Sequence, residues 1–540
     1  MTRPSLRGAG ALAGTLCLAL TLGWSPPAGA DETGAAAGFA AELDRLLADP
    51  RLDGGRASVV VRDADSGETL YEHGADDRLM PASTTKLLTS AAAMATLGPD
   101  YRFRTELLSD GPVTGGTLDG DLYLRGSGDP TTLAADYDAL AADLAALGVD
   151  TVTGDLIADD TRFDDVRLGR SWSWDSESDY YAAQTSALTL APDTDYDAGS
   201  VRVAVAPGAA EGDPAAVTLT PATDYMTVEN RATTVAEGEP ATAAVTREHG
   251  TNTLVITGAI PRGGAPVTSW TAVWEPTGYA TAVFADALAA HGVRVGGDTV
   301  LGRATPGGAD VLAAHESMPL SELLTPFMKL SNNTHAEALV KAMGRETRGE
   351  GTWEAGLAAV MSYAESAGVD TGTYRQVDGS GLSRLNSVPA AEITALLVAV
   401  RAEPWFATWY EALPVACGPD RVTGGTLRSR MCGTPAAGNV RAKTGSLTGA
   451  TALSGYVTTA DGHELAFGVL LNDFLGAAPK DLEDAVATTL ASSGTQEDAG
   501  AGAADAPDAA APAREPDPGP GLELSLELGL ECSWLKPAAC

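Results

Sequence analysis

The sequence predicts an α+β protein whose two outer parts are separated by a long, mostly β insertion. Three observations carry that expectation. Helical apolar spacing and short hairpins mark both ends of the globular stretch. Strand-like pieces broken by Gly, Asp, Thr and Pro mark its middle, and 540 residues are too many for one core. The expected division is 1–30 signal peptide, 31–99 first part of the outer domain, 100–312 insertion with two nested subdomains, 313–491 second part and 492–540 disordered tail.

Taken in order, Arg3 and Arg7, the apolar stretch Ala9–Gly23 and Ala28-Gly29-Ala30 read as a cleavable secretory signal. The apolar run is short for a membrane span, and Cys17 follows Leu16, which argues against lipid attachment. Residues 38–48 have helical spacing, and Ala57–Arg62 and Thr69–Glu72 form a hairpin about Asp65-Ser66-Gly67. A helix opened by Pro81-Ala82-Ser83-Thr84-Thr85-Lys86 stops at Gly98-Pro99. In the insertion, Arg102–Leu108, Asp121–Arg125 and Leu254–Thr257 read as strands, and Ala134–Leu147 and Tyr279–His291 as helices.

Helices return at Leu320–Leu330 and Thr334–Met343, with Ser331-Asn332-Asn333 at their joint, then at Trp353–Ser366 and Ala390–Arg401. A glycine-bearing loop, Asp378–Arg384, lies between the last two. Val440–Leu447 is extended, Thr451–Thr458 and Glu464–Leu471 form a hairpin, and Asp481–Leu490 closes the domain. The Ala/Gly/Asp/Pro-rich end has the composition of a disordered tail.

A net charge of −37 argues against nucleic acid or an anionic membrane surface as partner. Export admits a Cys417–Cys432 disulfide closing a short loop.

The chemistry rests on scarce lysines. The chain has six, and two of them fall in Ser83-x-x-Lys86 and Lys443-Thr444-Gly445. A serine and a lysine three apart on a helix face each other at about 5–6 Å between Cβ atoms. Ser83 near a helix start favours developing negative charge, and Lys86 acts as a base only if desolvated. Ser331 would relay a proton to a leaving amine, with Asn333 orienting it and the substrate amide. Lys443 would supply fixed positive charge, Thr444 and Ser446 donors, and Gly445 room at the strand edge. The ordinary alternatives are a helix-capping serine, a solvated lysine and a plain loop. No Gly-x-Ser-x-Gly elbow, His-Glu-x-x-His pair or phosphate-binding glycine loop is present, so no metal or other cofactor is expected.

Together the three motifs resemble the penicillin-recognising serine enzymes. The 248 residues between Ser83 and Ser331 narrow the likeness to the class C low-molecular-mass penicillin-binding proteins, the D-alanyl-D-alanine carboxypeptidase/endopeptidases. The Trp172–Asp175 stretch and the Asp378–Arg384 loop are also similar to that family. The resemblance implies a serine β-lactamase/transpeptidase-like domain, an antiparallel sheet with flanking helices and an all-α cluster. It implies acyl transfer from D-Ala-D-Ala of peptidoglycan stem peptides, acylation by β-lactams, and a secreted, cell-wall-associated location. Backbone N–H groups of Ser83 and Ser446 would form the oxyanion hole, and Thr444 and Ser446 would hold the terminal carboxylate. Asp175, Trp172 and Arg384 would receive a zwitterionic side-chain end, with Leu447 and Thr448 beside it. The alternatives are a β-lactamase or esterase of the same fold, and a non-catalytic β-lactam sensor.

Overall fold

Alternation along a strand decides how the central sheet is covered. In Arg56–Asp63, Val59 and Val61 turn to one face and Val60 to the other, and all three are buried. The computed structural model describes residues 32–494, so the expected signal peptide and the tail beyond 494 lie outside the described residues. Five strands lie in the order 69–73, 56–63, 464–472, 450–458 and 441–447, each antiparallel to its neighbours.

Val59, Val61, Phe467 and Val469 pack with Phe39 and Leu43 of helix Glu32–Leu47 and with Val486 and Leu490 of helix Lys480–Ser492. Val60 and Leu470 belong to the opposite core, with Leu87 and Ala91 of helix Thr85–Thr96 and Phe327, Leu339, Leu397 and Trp409 of the all-α cluster. Each large apolar side chain so buried stabilises the fold by about 1.5–3 kcal/mol. Helix 85–96 is buried from Thr85 through Met94, so it runs through the core rather than over it.

The insertion leaves and returns through neighbouring strands. Arg104–Ser109 pairs antiparallel with Asp310–Glu316, and residue 312, where the insertion was expected to end, falls inside the returning strand. Just outside this neck, Ser317 Oγ accepts from Phe103 N and Leu320 N donates to Tyr101 O. The strands 299–301, 156–159, 122–126, 104–109 and 310–316 form one mixed sheet. Smaller sheets, including 216–220, 200–206 and 267–272, share with it a single apolar core that also takes in helices Ala134–Ala146 and Pro276–Ala290. Among the described residues no helix is long and apolar enough to cross a membrane.

Candidate active site

The Ser-x-x-Lys motif is split between two kinds of helix. Ala82–Thr84 is one 3₁₀ turn, and the α-helix proper begins at Thr85. The Thr84 and Thr85 hydroxyls donate back to Pro81 O (2.7 Å) and Ala82 O (2.8 Å), tightening the turn. Ala82 has φ +46°, a left-handed conformation that a side chain disfavours. A Cβ on Gly381 would stand 1.9 Å from Ala82 O, so only glycine lets the Asp378–Arg384 loop close on this turn.

Lys86 has no exposed surface. Its Nζ donates to Ser83 Oγ (2.8 Å), Asn333 Oδ1 (2.6 Å) and the Ser380 carbonyl (2.9 Å). Asn333 opens helix Asn333–Arg348, and its Nδ2 donates to Tyr181 O (2.7 Å), which turns its oxygen toward Lys86. Ser331 stands at the joint before that helix with φ +60°. Its Oγ accepts from the buried Lys443 Nζ at 2.7 Å, and Lys443 also donates to Thr444 O (2.8 Å). The fold therefore builds two buried lysine–serine pairs, Lys86–Ser83 and Lys443–Ser331.

Strand Arg441–Leu447 is an edge strand, and Gly445 presses its backbone against the Ser83 turn. A Cβ there would lie 2.6 Å from Pro81 O and 3.1 Å from Ser83 N. Thr444 Oγ1 donates to Thr426 Oγ1 (2.9 Å), and Thr426 sits in the loop closed by the Cys417–Cys432 disulfide. Ser446 is nearly buried, and Leu447 packs with Ala82, Ala450, Met80 and Leu382. Thr448 is exposed, and its carbonyl accepts from Arg384 Nη1 at 2.9 Å.

Trp172 donates Nε1–H to Asp378 Oδ2 (3.0 Å), which brings the insertion onto the glycine-bearing loop. Asp175 is exposed on the short turn Trp174–Ser176, and no hydrogen bond or ion pair joins it to Arg384. Burial and then the Asp175 charge raise the Asp179 carboxyl above its ordinary value.

Several residues that position the site went unread in the sequence. Asp378 is the hub of its loop, accepting from Gly381 N (2.9 Å), Ser383 N (2.6 Å) and Asn386 Nδ2 (2.7 Å). Behind it the wholly buried Glu337 accepts from Gly379 N, Ser380 N and Trp353 Nε1, each at 2.8 Å. Burial, and next the Asp378 charge, push the Glu337 carboxyl up to about 7. By holding the Ser380 amide it fixes the peptide segment whose carbonyl receives Lys86. Its signal is spacing: Glu337 lies one turn after Asn333 on the same helix face. His335 is held near pKa 3 by burial, so it is neutral, and its Nε2–H donates to Tyr196 O (2.9 Å). Asn332 Nδ2 reaches Asp195 O (2.7 Å). Insertion residues 181–196 thus brace the Ser331–Asn333 corner.

The D-Ala-D-Ala carboxypeptidase 3 (S13) family matches residues 39–493. The D-alanyl-D-alanine carboxypeptidase of Actinomadura sp. (strain R39) is 47% identical over 505 residues, 92% of this chain and 93% of that protein. Penicillin binding protein 4 (dacB) from Haemophilus influenzae superposes with a TM-score of 0.71 at 26% identity, covering 83% of this chain and 97% of that one. Its complex with a β-lactam gives a TM-score of 0.67 at 25% identity, covering 83% and 98%. With its motifs at the junction of sheet and helical cluster and its match running through both outer parts and the insertion, the chain belongs to the D-Ala-D-Ala carboxypeptidase 3 (S13) family.

Proposed function

We propose that this D-Ala-D-Ala carboxypeptidase works through an acyl-enzyme on Ser83, with Lys86 as its base. The observation that carries the reading is the 2.8 Å contact between a fully buried lysine amine and the Ser83 hydroxyl, beside a second buried pair, Lys443–Ser331. Taking the ammonium out of water favours the neutral amine that a base requires. Lys86 Nζ accepts the hydroxyl proton while Ser83 Oγ bonds to the carbonyl carbon of the penultimate D-Ala. The negative oxygen is received by the backbone N–H groups of Ser83 and Ser446. Ser331, held by Lys443, relays to the leaving nitrogen the proton that Lys86 took up. The C–N bond breaks, D-Ala departs, and water then cleaves the Ser83 ester.

Thr444 and Ser446 hold the substrate carboxylate, and Asn333 orients both Lys86 and the substrate amide. Asp175 and Arg384 supply charges of both signs for a diaminopimelyl-like end, with Trp172 beside Asp175 and Leu447 and Thr448 at its border. Arg384 is tied to the Thr448 carbonyl and Trp172 to Asp378, which supports a pocket spanning both loops. Cleavage of D-Ala-diaminopimelate cross-links follows from the same chemistry on a longer leaving group. β-Lactams acylate the same serine, a reading supported by the β-lactam complex of the Haemophilus influenzae relative. The amino-terminal signal pattern supports action on stem peptides outside the cytoplasm, at the cell wall.

The test is D-Ala release from a D-Ala-D-Ala peptide with a free amino terminus, alongside the lifetime of the penicillin adduct. Release together with an adduct lasting many minutes is expected. Rapid penicillin turnover would make the chain a β-lactamase or esterase, and acylation without release a sensor.

A further inference from the structure

A second cleft opens at the neck of the insertion, with a cavity of about 540 Å³. It is lined from three directions: Tyr101, Arg102 and Arg104 of the outgoing chain, Arg125 and Arg162 of the insertion, and Arg345 of helix Asn333–Arg348. Its charge is the reverse of the molecule's. The whole chain has 72 acids against 35 bases. This wall has five arginines against three acids, Glu106, Asp159 and Glu346.

Part of that charge is compensated. Arg125 pairs with Glu106 at 2.7 Å, Arg162 pairs with Glu346, and Arg104 lies 3.4 Å from Glu316. Asp159 is engaged by Thr161 and by the Thr305 amide. Arg102 and Arg345 differ. Their hydrogen bonds run to the backbone carbonyls of Ser317 (2.6 Å) and Gly349 (2.7 Å), and among the described residues neither has a carboxylate within ion-pair distance. A carbonyl accepts a hydrogen bond but leaves the cation's charge uncancelled. Burial, the first cause, pushes the Tyr101 phenol up to about 12, so it adds a donor to the wall.

We propose that this cleft binds a phosphate group, free or carried on a polymer. A single carboxylate can be matched by one guanidinium fork. Several guanidiniums converging on one cavity suit a more highly charged, many-oxygened anion. Arg345 and Asn333 lie on one helix, twelve residues and so roughly 18 Å apart. The cleft is therefore separate from the acyl-transfer centre, and its failure would leave the Ser83 reading untouched.

The experiment is isothermal calorimetry on the whole protein at low salt. The probes are tripolyphosphate, a short glycerol phosphodiester oligomer and, as the carboxylate control, citrate. Saturable one-to-one binding of a phosphate probe is expected, weakening as salt is added. Arg102→Gln with Arg345→Gln should weaken it about tenfold or more, while Arg102→Lys with Arg345→Lys retains part of it. D-Ala release should be unchanged in both double variants, which also reports that they fold. Which phosphate probe binds more tightly tells free phosphate from polymer. No saturable binding, equal binding by the Gln variant, or equal affinity for citrate overturns the proposal.

Discussion

The insertion and the outer domain are built of different material. Between Lys86 and Lys329 the chain contains no lysine, so the insertion packs its apolar core without a buried amine. The outer domain buries Lys86, Lys329, Lys341 and Lys443. An apolar core needs only volume and pattern, whereas every buried amine needs its own set of oxygens. The four lysines also differ among themselves. Lys329 donates to the Leu413 and Thr423 carbonyls and is brought down to about 8 chiefly by burial. Lys341 pairs with Asp164 at 2.6 Å and stands 4.0 Å above the Trp353 ring. These two fasten loops. Only Lys86 and Lys443 place their amines on a serine hydroxyl. Burial alone therefore does not single out the proposed catalytic lysines; burial against a hydroxyl does.

Substitution separates the two kinds most sharply. Lys86→Met should lower D-Ala release by about 10³-fold, within the range for loss of a general base, with the folded state retained. Lys341→Met should do the opposite. It leaves a partly buried Asp164 without its cation and should lower the thermal midpoint strongly, while release per folded molecule stays within a few-fold. Equal catalytic losses in the two variants would erase the distinction.

Glu337→Gln comes next, at about 10- to 100-fold in release, because one face of the amide turns N–H toward N–H donors that now find a carboxylate oxygen. It also carries a pH signature. The folded carboxyl keeps its proton up to about 7, against an ordinary 4.5. Its protonated form therefore favours the fold most below about 4.5, and that contribution is lost as pH rises toward 7. The Gln variant should show a flatter midpoint-versus-pH curve across that window. An unchanged slope would remove Glu337 as its source.

The smallest effect is expected from Asp175→Asn. Being exposed, Asp175 should cost only several-fold, and only on peptides with a free amine at the side-chain end. The comparison is kcat/KM on free against acetylated peptides, and equal loss on both would end its recognition role.

The sequence made the strands and helices legible because apolar period tracks burial directly: Trp353–Ser366 matches its helix end for end, and Glu464–Leu471 falls one residue short of its strand. The motifs were legible because short spacing on one helix or strand sets geometry. What stayed hidden was set by distant chain. Ser380 lies 294 residues from Lys86, and it contributes a backbone carbonyl, which has no residue signature. Glu337 was one acid among 72 until the loop it supports was in place. Tyr181 and Asp195 likewise act through carbonyls, so nothing in their side chains announces that the insertion braces the Ser331–Asn333 corner.

The most direct test of the acyl-transfer account is to treat the protein with penicillin, digest it and map the adduct by mass spectrometry. One penicilloyl group on the peptide containing Ser83, absent from Ser83→Ala and strongly slowed in Lys86→Met, is the predicted result. An adduct on another residue, or a Ser83→Ala protein that still releases D-Ala at the normal rate, would contradict it.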